Sequence, residues 1–351
     1  MIRPPKSPLL FLMLFLGTLL FFAPAIMAFH QKGVAACKAC HFMHETRDGV
    51  PLEPAGPTQD NPMLVAETPS DLCLSCHGDV FGRDPLAPPP ERGAGNFVFL
   101  LEDNLNDSAD GLTDPIPGDA AGHNINAPSR GVSADGTYMV SPGGNFPAAR
   151  MECTSCHDPH GNTNFRFLWG VGTDPSRPTV FTFPAPDADG LDISNEVESN
   201  SLHSAYRSGV SDWCGNCHGQ YHSGGQGSAF VHPANQNLET TIANYYNLYD
   251  GSSDPSGGDP ATSYLAAVPF EDPGMTTTTT AGPTASSKIM CLSCHRAHAS
   301  SAPHAGRWDF NIEYLDNDGA VSGSYPIPNP YPGDPAQRQL CEKCHANGIQ
   351  N

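Results

Sequence analysis

The residues of this chain best suited to chemistry are its cysteines and histidines, and they recur in one pattern. The sequence Cys-x-x-Cys-His occurs six times and uses all 12 cysteines of the 351-residue chain. Numbered I to VI, the motifs are Cys37-Cys40-His41, Cys73-Cys76-His77, Cys153-Cys156-His157, Cys214-Cys217-His218, Cys291-Cys294-His295 and Cys341-Cys344-His345. In this pattern two thiols form thioethers with one porphyrin, and the adjacent histidine binds the iron as the proximal ligand. The sequence therefore predicts six covalently attached haem c groups.

Two other uses of paired cysteines fit less well. Six disulfides would also consume 12 cysteines in an exported chain, but they do not explain the constant spacing or the following histidine. A Cys-x-x-Cys pair can also be half of a zinc site, but zinc takes four ligands and does not require a histidine directly after every second cysteine.

Nine of the 15 histidines remain after the six proximal ones are assigned. Coordination of every iron by two histidines requires six of them as distal ligands. The candidate distal ligands are His30, His44, His123, His160, His222, His232 and His298. The other two, His203 and His304, are predicted to be surface residues. Seven candidates for six irons leave one unused, and spacing alone does not identify it.

The position of four candidates along the chain suggests which irons they serve. His44, His160 and His298 each follow a proximal histidine by three residues, and His222 follows His218 by four. Such residues share a face of a helical turn, so the second histidine cannot reach the far side of the first one's porphyrin. We expect each to bind a neighbouring haem and to hold two haems in close contact.

The other three candidates, His30, His123 and His232, would be delivered by the spacer loops. A methionine could replace a distal histidine and raise the potential, and Met43, Met139, Met151, Met275 and Met290 are available. With histidine in surplus, bis-histidine coordination and low potentials are favoured.

The N-terminus resembles an export signal. Residues 1–28 carry the basic residues Arg3 and Lys6, followed by an apolar segment from Leu9 to Phe22. This pattern predicts a cleaved signal peptide and a mature chain of residues 29–351, with an uncleaved anchor as the alternative. No later stretch is apolar enough to span a membrane. We therefore expect a secreted protein that is extracellular or bound to the outer cell surface.

Composition limits both the partners and the fold. The chain has 17 basic and 37 acidic residues, a net charge of −20, which disfavours nucleic acid as a partner. Only 38% of residues are hydrophobic, and there are 35 glycines and 35 prolines. We expect mostly coil with short helices, few strands and no conventional hydrophobic core, so that the haems form the core of a multihaem cytochrome c.

Local patterns predict a few elements within one haem-organised domain. Each motif is expected on one or two helical turns, with Ser70 as the N-cap of the helix before Cys73. A strand is expected at Asn96 to Leu101. Acidic stretches such as Asp316 to Asp318 could bind calcium, but none has the EF-hand spacing, and solvated turns are favoured.

Taken together, these motifs make the chain resemble the hexahaem extracellular cytochromes of the outer-membrane cytochrome S type, which form filaments known as cytochrome nanowires. The matching segments extend along the mature chain: Ala28-Phe29-His30, Cys37 to His44, Cys73 to His77, Gly122 to Ile125, Cys153 to Gly161, Trp213 to His222, His232 to Ala234, Cys291 to Ser300 and Cys341 to Ala346. The resemblance implies bis-histidine haems in one continuous series. It also implies that one distal ligand comes from the next subunit, and His44 matches that ligand by position.

The resulting hypothesis is a head-to-tail filament that passes electrons to extracellular acceptors and exchanges them with cell-surface cytochromes, without performing bond chemistry. The alternatives are a monomeric exported electron shuttle or a subunit docked on a surface reductase. A multihaem enzyme that converts nitrite or hydroxylamine needs an iron with an exchangeable position, and the surplus of histidine argues against one.

Overall fold

The structure is a computed structural model, and it shows a chain made mostly of turns and coil with short helices. It describes residues 37–41, 46–47, 50–51, 64–77, 93–104, 121–172, 180–191, 198–222, 234–251, 257–318, 330–331 and 340–345. Residues 1–28, the predicted signal peptide, lie outside this set. Within the described residues, none of the helices has the length and apolar character that crossing a membrane requires.

Every Cys-x-x-Cys-His motif begins on a helical turn, as predicted. The α-helices are α1 (Cys37–Cys40), α2 (Pro69–His77), α3 (Cys153–Cys156), α4 (Val210–Cys214), α5 (Gly219–His222) and α6 (Glu239–Leu248). The 3₁₀ helices are Phe97–Asn104, Pro128–Arg130, Ala148–Arg150, Phe165–Phe167, Cys291–Ser293, Pro303–Ala305, Leu315–Asn317 and Leu340–Lys343. One helical turn places cysteines three residues apart on one side, where a single porphyrin can join both.

Strands are few and short among the described residues. β1 (Thr46–Arg47) pairs antiparallel with β2 (Val50–Pro51), and Thr46 lies opposite Pro51. β3 (Asp187–Asp189) pairs antiparallel with β4 (Ala205–Ser208), with an irregular register after Asp187. The Arg207 guanidinium bonds the carboxylates of both Asp187 and Asp189 across this pair. Neither pair forms a sheet large enough to organise a core.

The helix before Cys73 starts differently from the prediction. Thr68, rather than Ser70, is the capping residue, because its hydroxyl accepts the Asp71 backbone N–H at 3.0 Å and its carbonyl accepts the Leu72 N–H at 3.1 Å. Pro69 follows as the first helical residue, where its missing N–H costs nothing. Ser70 is therefore inside the helix, and its hydroxyl points to another segment.

The strand expected at Asn96 to Leu101 is also wrong. This segment forms the 3₁₀ helix Phe97–Asn104, and the Asn96 side chain starts the turn by accepting the Val98 N–H at 3.0 Å. Phe97, Val98, Phe99 and Leu100 are all buried. A run of apolar residues buried on every side has no period that separates a strand from a helix.

One predicted solvated turn is also buried. Asp316 is exposed, but Asp318 is buried, and its carboxylate accepts the Asp309 N–H at 3.1 Å. The prediction was therefore wrong for Asp318, because this carboxylate closes a loop instead of facing water.

Among the described residues, buried apolar side chains form three separate clusters rather than one core. The first contains Phe99 and Ile125 and packs against Cys153. The second is built around Tyr246 and Trp308 and packs against Cys294, Cys341 and Cys344. The third, around Tyr206 and Val210, packs against Cys214. Each cluster therefore adjoins cysteines that attach haem, in agreement with the predicted fold class.

A buried lysine joins the last motif to helix α6. Lys343 lies between the two cysteines of motif VI and is only 1% exposed. Its ammonium group donates to the carbonyls of Tyr246 at 2.8 Å, Tyr249 at 2.9 Å and Ser263 at 3.2 Å. Tyr246 and Tyr249 lie at the C-terminal end of α6, where the carbonyls lack helical partners and attract a cation.

Replacement of Tyr246 by Phe is expected to reduce the free energy of unfolding by about 1–3 kcal/mol, because buried polar groups lose their partner. The Tyr246 hydroxyl accepts the Leu265 N–H at 3.1 Å and donates to the Val268 carbonyl at 2.7 Å. The matched control is Tyr245→Phe, since Tyr245 is 36% exposed. Urea unfolding of both variants measures the difference, and equal stability would contradict the assignment.

Candidate haem-binding sites

No disulfide joins any of the eleven cysteines from Cys40 to Cys344. In motifs III to VI the same backbone bond closes the turn, because the proximal histidine N–H donates to the carbonyl of the first cysteine. The lengths are 3.0 Å for His157 to Cys153, 3.0 Å for His218 to Cys214, 3.1 Å for His295 to Cys291 and 3.0 Å for His345 to Cys341. This bond fixes the histidine at one end of the turn that carries both thiols.

Thiols of different motifs lie close together. Hydrogen bonding between Cys73 and Cys153 raises the pKa of the Cys73 thiol, and the same interaction between Cys214 and Cys291 raises that of Cys214. Burial raises the pKa of Cys156 to about 12. The contacts between these cysteines bring motif II against motif III and motif IV against motif V.

Four of the predicted iron ligands have the same tautomer-fixing contact. In each, the Nδ1 atom lies within hydrogen-bond distance of a backbone carbonyl oxygen. The pairs are His123 with Ala297 at 2.6 Å, His157 with Arg166 at 2.8 Å, His218 with Pro142 at 2.7 Å and His295 with His304 at 2.9 Å. A carbonyl can only accept, so Nδ1 carries the proton and the Nε2 lone pair is available to a metal.

Three predicted distal histidines lie opposite proximal histidines of other motifs. The pairs and their ring-centroid distances are His160 with His41 at 6.1 Å, His298 with His157 at 6.4 Å and His123 with His218 at 5.9 Å. An imidazole nitrogen bonds a metal at about 2.0–2.1 Å and its ring centre lies about 1 Å further out, so two imidazoles on opposite sides of one metal have centroids about 6 Å apart. The three separations match that value.

Burial keeps two of these imidazoles neutral. It lowers the pKa of His218 to about 4 and that of His298 to about 3, because burial disfavours the charged form. A neutral imidazole has a lone pair for iron at neutral pH, whereas an imidazolium has none. The buried rings, the tautomers and the ring separations therefore fit iron held between two imidazoles.

His123 and His298 are held by one contact between two segments. The His123 N–H donates to the His298 carbonyl at 2.8 Å, and Gly122 lies in an antiparallel bridge with Ala299. A Cβ atom on Gly122 would stand 2.1 Å from the His298 carbonyl oxygen, so only glycine fits there. Because His298 faces motif III and His123 faces motif IV, this contact positions ligands for two haems.

His160 is the most accessible of the three distal histidines. Its side chain is 78% exposed, and its Nδ1 lies 4.0 Å from the Asp158 carboxylate. Its ring is inclined by 19° to that of His41, the proximal histidine of motif I. His160 itself follows His157, the proximal histidine of motif III, by three residues. This placement supports the prediction that such histidines serve a neighbouring haem.

The proximal histidines of the last two motifs have no distal histidine among the described residues. The His295 ring contacts Phe310 edge-on at 5.5 Å, and no described histidine ring lies against His295 or His345. His77 is at the end of helix α2. The predicted ligands His30, His44 and His232 lie outside the described residues.

His222 differs from the other candidates. Its Nε2 atom, which the others leave available, lies 2.6 Å from an Asp212 carboxylate oxygen. The same oxygen accepts the Asn235 side-chain amide at 2.6 Å, and the His222 ring packs 4.8 Å from Phe183. The structure does not place His222 opposite any proximal histidine of the described residues.

The prediction that His203 is a surface residue was wrong. His203 is fully buried, its ring stacks on Tyr264 at 3.7 Å, and its two nitrogens lie 2.9 Å and 2.8 Å from the carbonyls of Ser204 and Thr279. The contact is non-local and leaves no pattern near His203 in the sequence. His304 is exposed, as predicted.

The architecture and the sites define a multihaem c-type cytochrome with six covalently attached haem c groups. A family model for the doubled CXXCH motif matches residues 145–176. The curated relative C-type cytochrome OmcS of Geobacter sulfurreducens is 31% identical over 94% of this chain and 96% of the relative. The chain therefore belongs to the OmcS family of c-type cytochromes.

Two solved structures are similar to this chain over nearly its whole length. The outer membrane cytochrome S filament from Geobacter sulfurreducens matches with a TM-score of 0.70 and 28% identity, covering 91% of this chain and 100% of that chain. A structure of OmcS nanowires from the same organism, determined by cryo-EM, matches with a TM-score of 0.71 and 27% identity at the same coverage.

Replacement of Gly122 by Ala is expected to change the coordination of two irons, since the added Cβ would force apart the segments that carry His123 and His298. The expected result is high-spin absorbance from about two of six haems. Gly219→Ala is the matched control, because Gly219 follows His218 directly and a Cβ there meets nothing within 4 Å. Unchanged low-spin spectra for Gly122→Ala would show that this contact does not hold the ligands.

Proposed function

We propose that this protein conducts electrons outside the cell along six bis-histidine haem c groups, in subunits joined head to tail into a filament. Extracellular electron transfer by a multihaem cytochrome is the activity supported by the family and the fold. The haems supply the one-electron chemistry, and the protein determines their spacing, axial ligands and burial. The mature chain is residues 29–351, after removal of residues 1–28.

The observation that carries this proposal is the exchange of ligands between motifs. Three proximal histidines face distal histidines that belong to, or pack against, other motifs, at 5.9 to 6.4 Å. These contacts tie motif I to motif III, motif III to motif V, and motif IV to the segment of motif V, so the irons of these four motifs form a connected series. Closely spaced irons with both axial positions filled suit transfer of electrons and leave no position for a substrate. We therefore infer that the protein is not an enzyme.

The subunit contact is proposed to use His44. Among the described residues, no histidine lies opposite His295 of motif V. His298, which follows His295 by three residues, lies opposite His157 of motif III instead. His44 follows His41 of motif I by three residues in the same way, and it is the equivalent ligand supplied by the next subunit. Such a contact is heterologous and does not close, so it generates a filament.

The seventh candidate ligand is proposed to be His222. Six irons need six distal histidines, and Nε2 of His222 is already engaged by Asp212. The distal set is then His30, His44, His123, His160, His232 and His298. Acceptors of the electrons are proposed to be extracellular oxidants and cell-surface cytochromes, reached by a mature chain that carries 15 basic and 37 acidic residues, a formal net charge of −22.

His44→Ala is expected to abolish filaments while leaving a folded monomer with six haems, because only the contact between subunits loses its ligand. Negative-stain microscopy and iron content per chain measure the two properties. Met43→Leu, at the neighbouring position, is the control and should still polymerise. Intact filaments of His44→Ala would refute the role of His44, and a wild-type protein that stays monomeric would favour an exported shuttle.

His222→Ala is expected to keep all six haems low-spin, because His222 bonds Asp212 and not an iron. His298→Ala is the positive control and should convert one of six haems to the high-spin form. Electron paramagnetic resonance of the oxidised proteins distinguishes the two states. A new high-spin signal in His222→Ala would return this residue to the set of ligands.

A further inference from the structure

Motifs II and III are arranged like motifs IV and V, and each arrangement includes a serine outside the motifs. Ser70 stands three residues before Cys73, and Ser211 stands three residues before Cys214. Each serine is followed by an aspartate that is bonded to a distant segment: Asp71 accepts the Ser129 hydroxyl, and Asp212 accepts the Asn235 amide. The two segments therefore agree in sequence and in the use of their side chains.

Both serines make the same bond to the next motif. The Ser70 hydroxyl oxygen accepts the Cys153 N–H at 3.1 Å, and the Ser211 hydroxyl oxygen accepts the Cys291 N–H at 3.1 Å. Ser70 is fully buried and Ser211 is 1% exposed. Each bond joins segments about 80 residues apart in the chain, with separations of 83 and 80. A buried hydroxyl therefore connects the helix of one motif to the first cysteine of the following motif.

The joined cysteines are the ones whose thiols meet. Cys73 and Cys153 lie within hydrogen-bonding reach, as do Cys214 and Cys291. Each of these thiols attaches one edge of a different haem. The serine bond thus acts at the point where two neighbouring haem groups are anchored, and a shift of the backbone there would move one anchor relative to the other.

The loops that follow motifs III and V, the second motif of each pair, also resemble each other. His157 Nδ1 bonds the Arg166 carbonyl and His295 Nδ1 bonds the His304 carbonyl, each nine residues ahead. Arg166 and His304 both have positive φ, at 49° and 61°. Non-glycine residues rarely adopt this conformation, so its recurrence at matching positions indicates two copies of one structural unit.

We propose that Ser70 and Ser211 are positioning residues, which fix the spacing between the haems of motifs II and III and between those of motifs IV and V. Haem attachment alone does not require the serine, because other residues occupy the equivalent position before the other four motifs. These residues are Val34, Arg150, Lys288 and Arg338. Serine occurs only before the two motifs whose first cysteine meets that of a following motif in this structure. The proposal rests on the bound haems and is independent of filament formation.

The test compares Ser70→Ala, Ser211→Ala and the double variant as full-length, haem-loaded protein. Neighbouring haems couple and give a two-signed circular dichroism band in the Soret region, whose amplitude depends on their separation and mutual orientation. Each single variant is expected to retain six haems per chain and lose part of this amplitude. The double variant should lose the sum of the two, because the two serines bond different residues, Cys153 and Cys291.

Ser133→Ala and Ser208→Ala are the matched controls, since both serines are exposed and lie outside the motifs. Both controls should keep the wild-type band. A wild-type band in fully loaded Ser70→Ala and Ser211→Ala would overturn the proposal. Loss of a haem from either variant would also overturn it, because the serine would then be needed for attachment. Both pairs of motifs lie within one subunit, so a failure of filament formation leaves the comparison of variants unaffected.

Discussion

The structure depends on neutral imidazoles whose orientation is fixed by backbone carbonyls. In four histidines the Nδ1–H group donates a hydrogen bond to a backbone carbonyl, so Nε2 is left for iron. They are His123, His157, His218 and His295. Two of these carbonyls are distant in sequence from the histidine that they hold: Pro142 is 76 residues from His218, and Ala297 is 174 residues from His123. The spacers between the motifs, which are rich in glycine and proline, therefore supply contacts that orient the iron ligands.

This constraint explains why so little regular structure is needed. Each motif requires one helical turn for its thiols and one carbonyl for its histidine, and the apolar clusters are distributed next to the cysteines. A conventional core would compete with the porphyrins for the same apolar contacts. The contact between Gly122 and Ala299 shows the economy of the arrangement, since one close approach of two backbones orients ligands for two haems.

The sequence predicted local chemistry well and long-range packing poorly. The Cys-x-x-Cys-His motifs have fixed spacing. His160 and His298 face proximal histidines of other motifs, as expected, although neither lies on the predicted helical turn, since the helices end at Cys156 and Ser293. The strand expected at Asn96 to Leu101 failed because uniform burial removes any period. Ser70 and His203 failed for a different reason. Their partners, Cys153 and Thr279, are about 80 residues away, and no local pattern records such contacts.

The position of Lys343 has a consequence for biosynthesis. Its three carbonyl partners were synthesised 80 to 97 residues earlier in the chain, yet they gain their cation only when the last motif arrives. These carbonyl groups, two of them at the end of helix α6, therefore lack this hydrogen-bond donor while almost a third of the polypeptide is still being translocated. A chain truncated before Cys341 would lack motif VI and would also leave the three carbonyls without the Lys343 ammonium group.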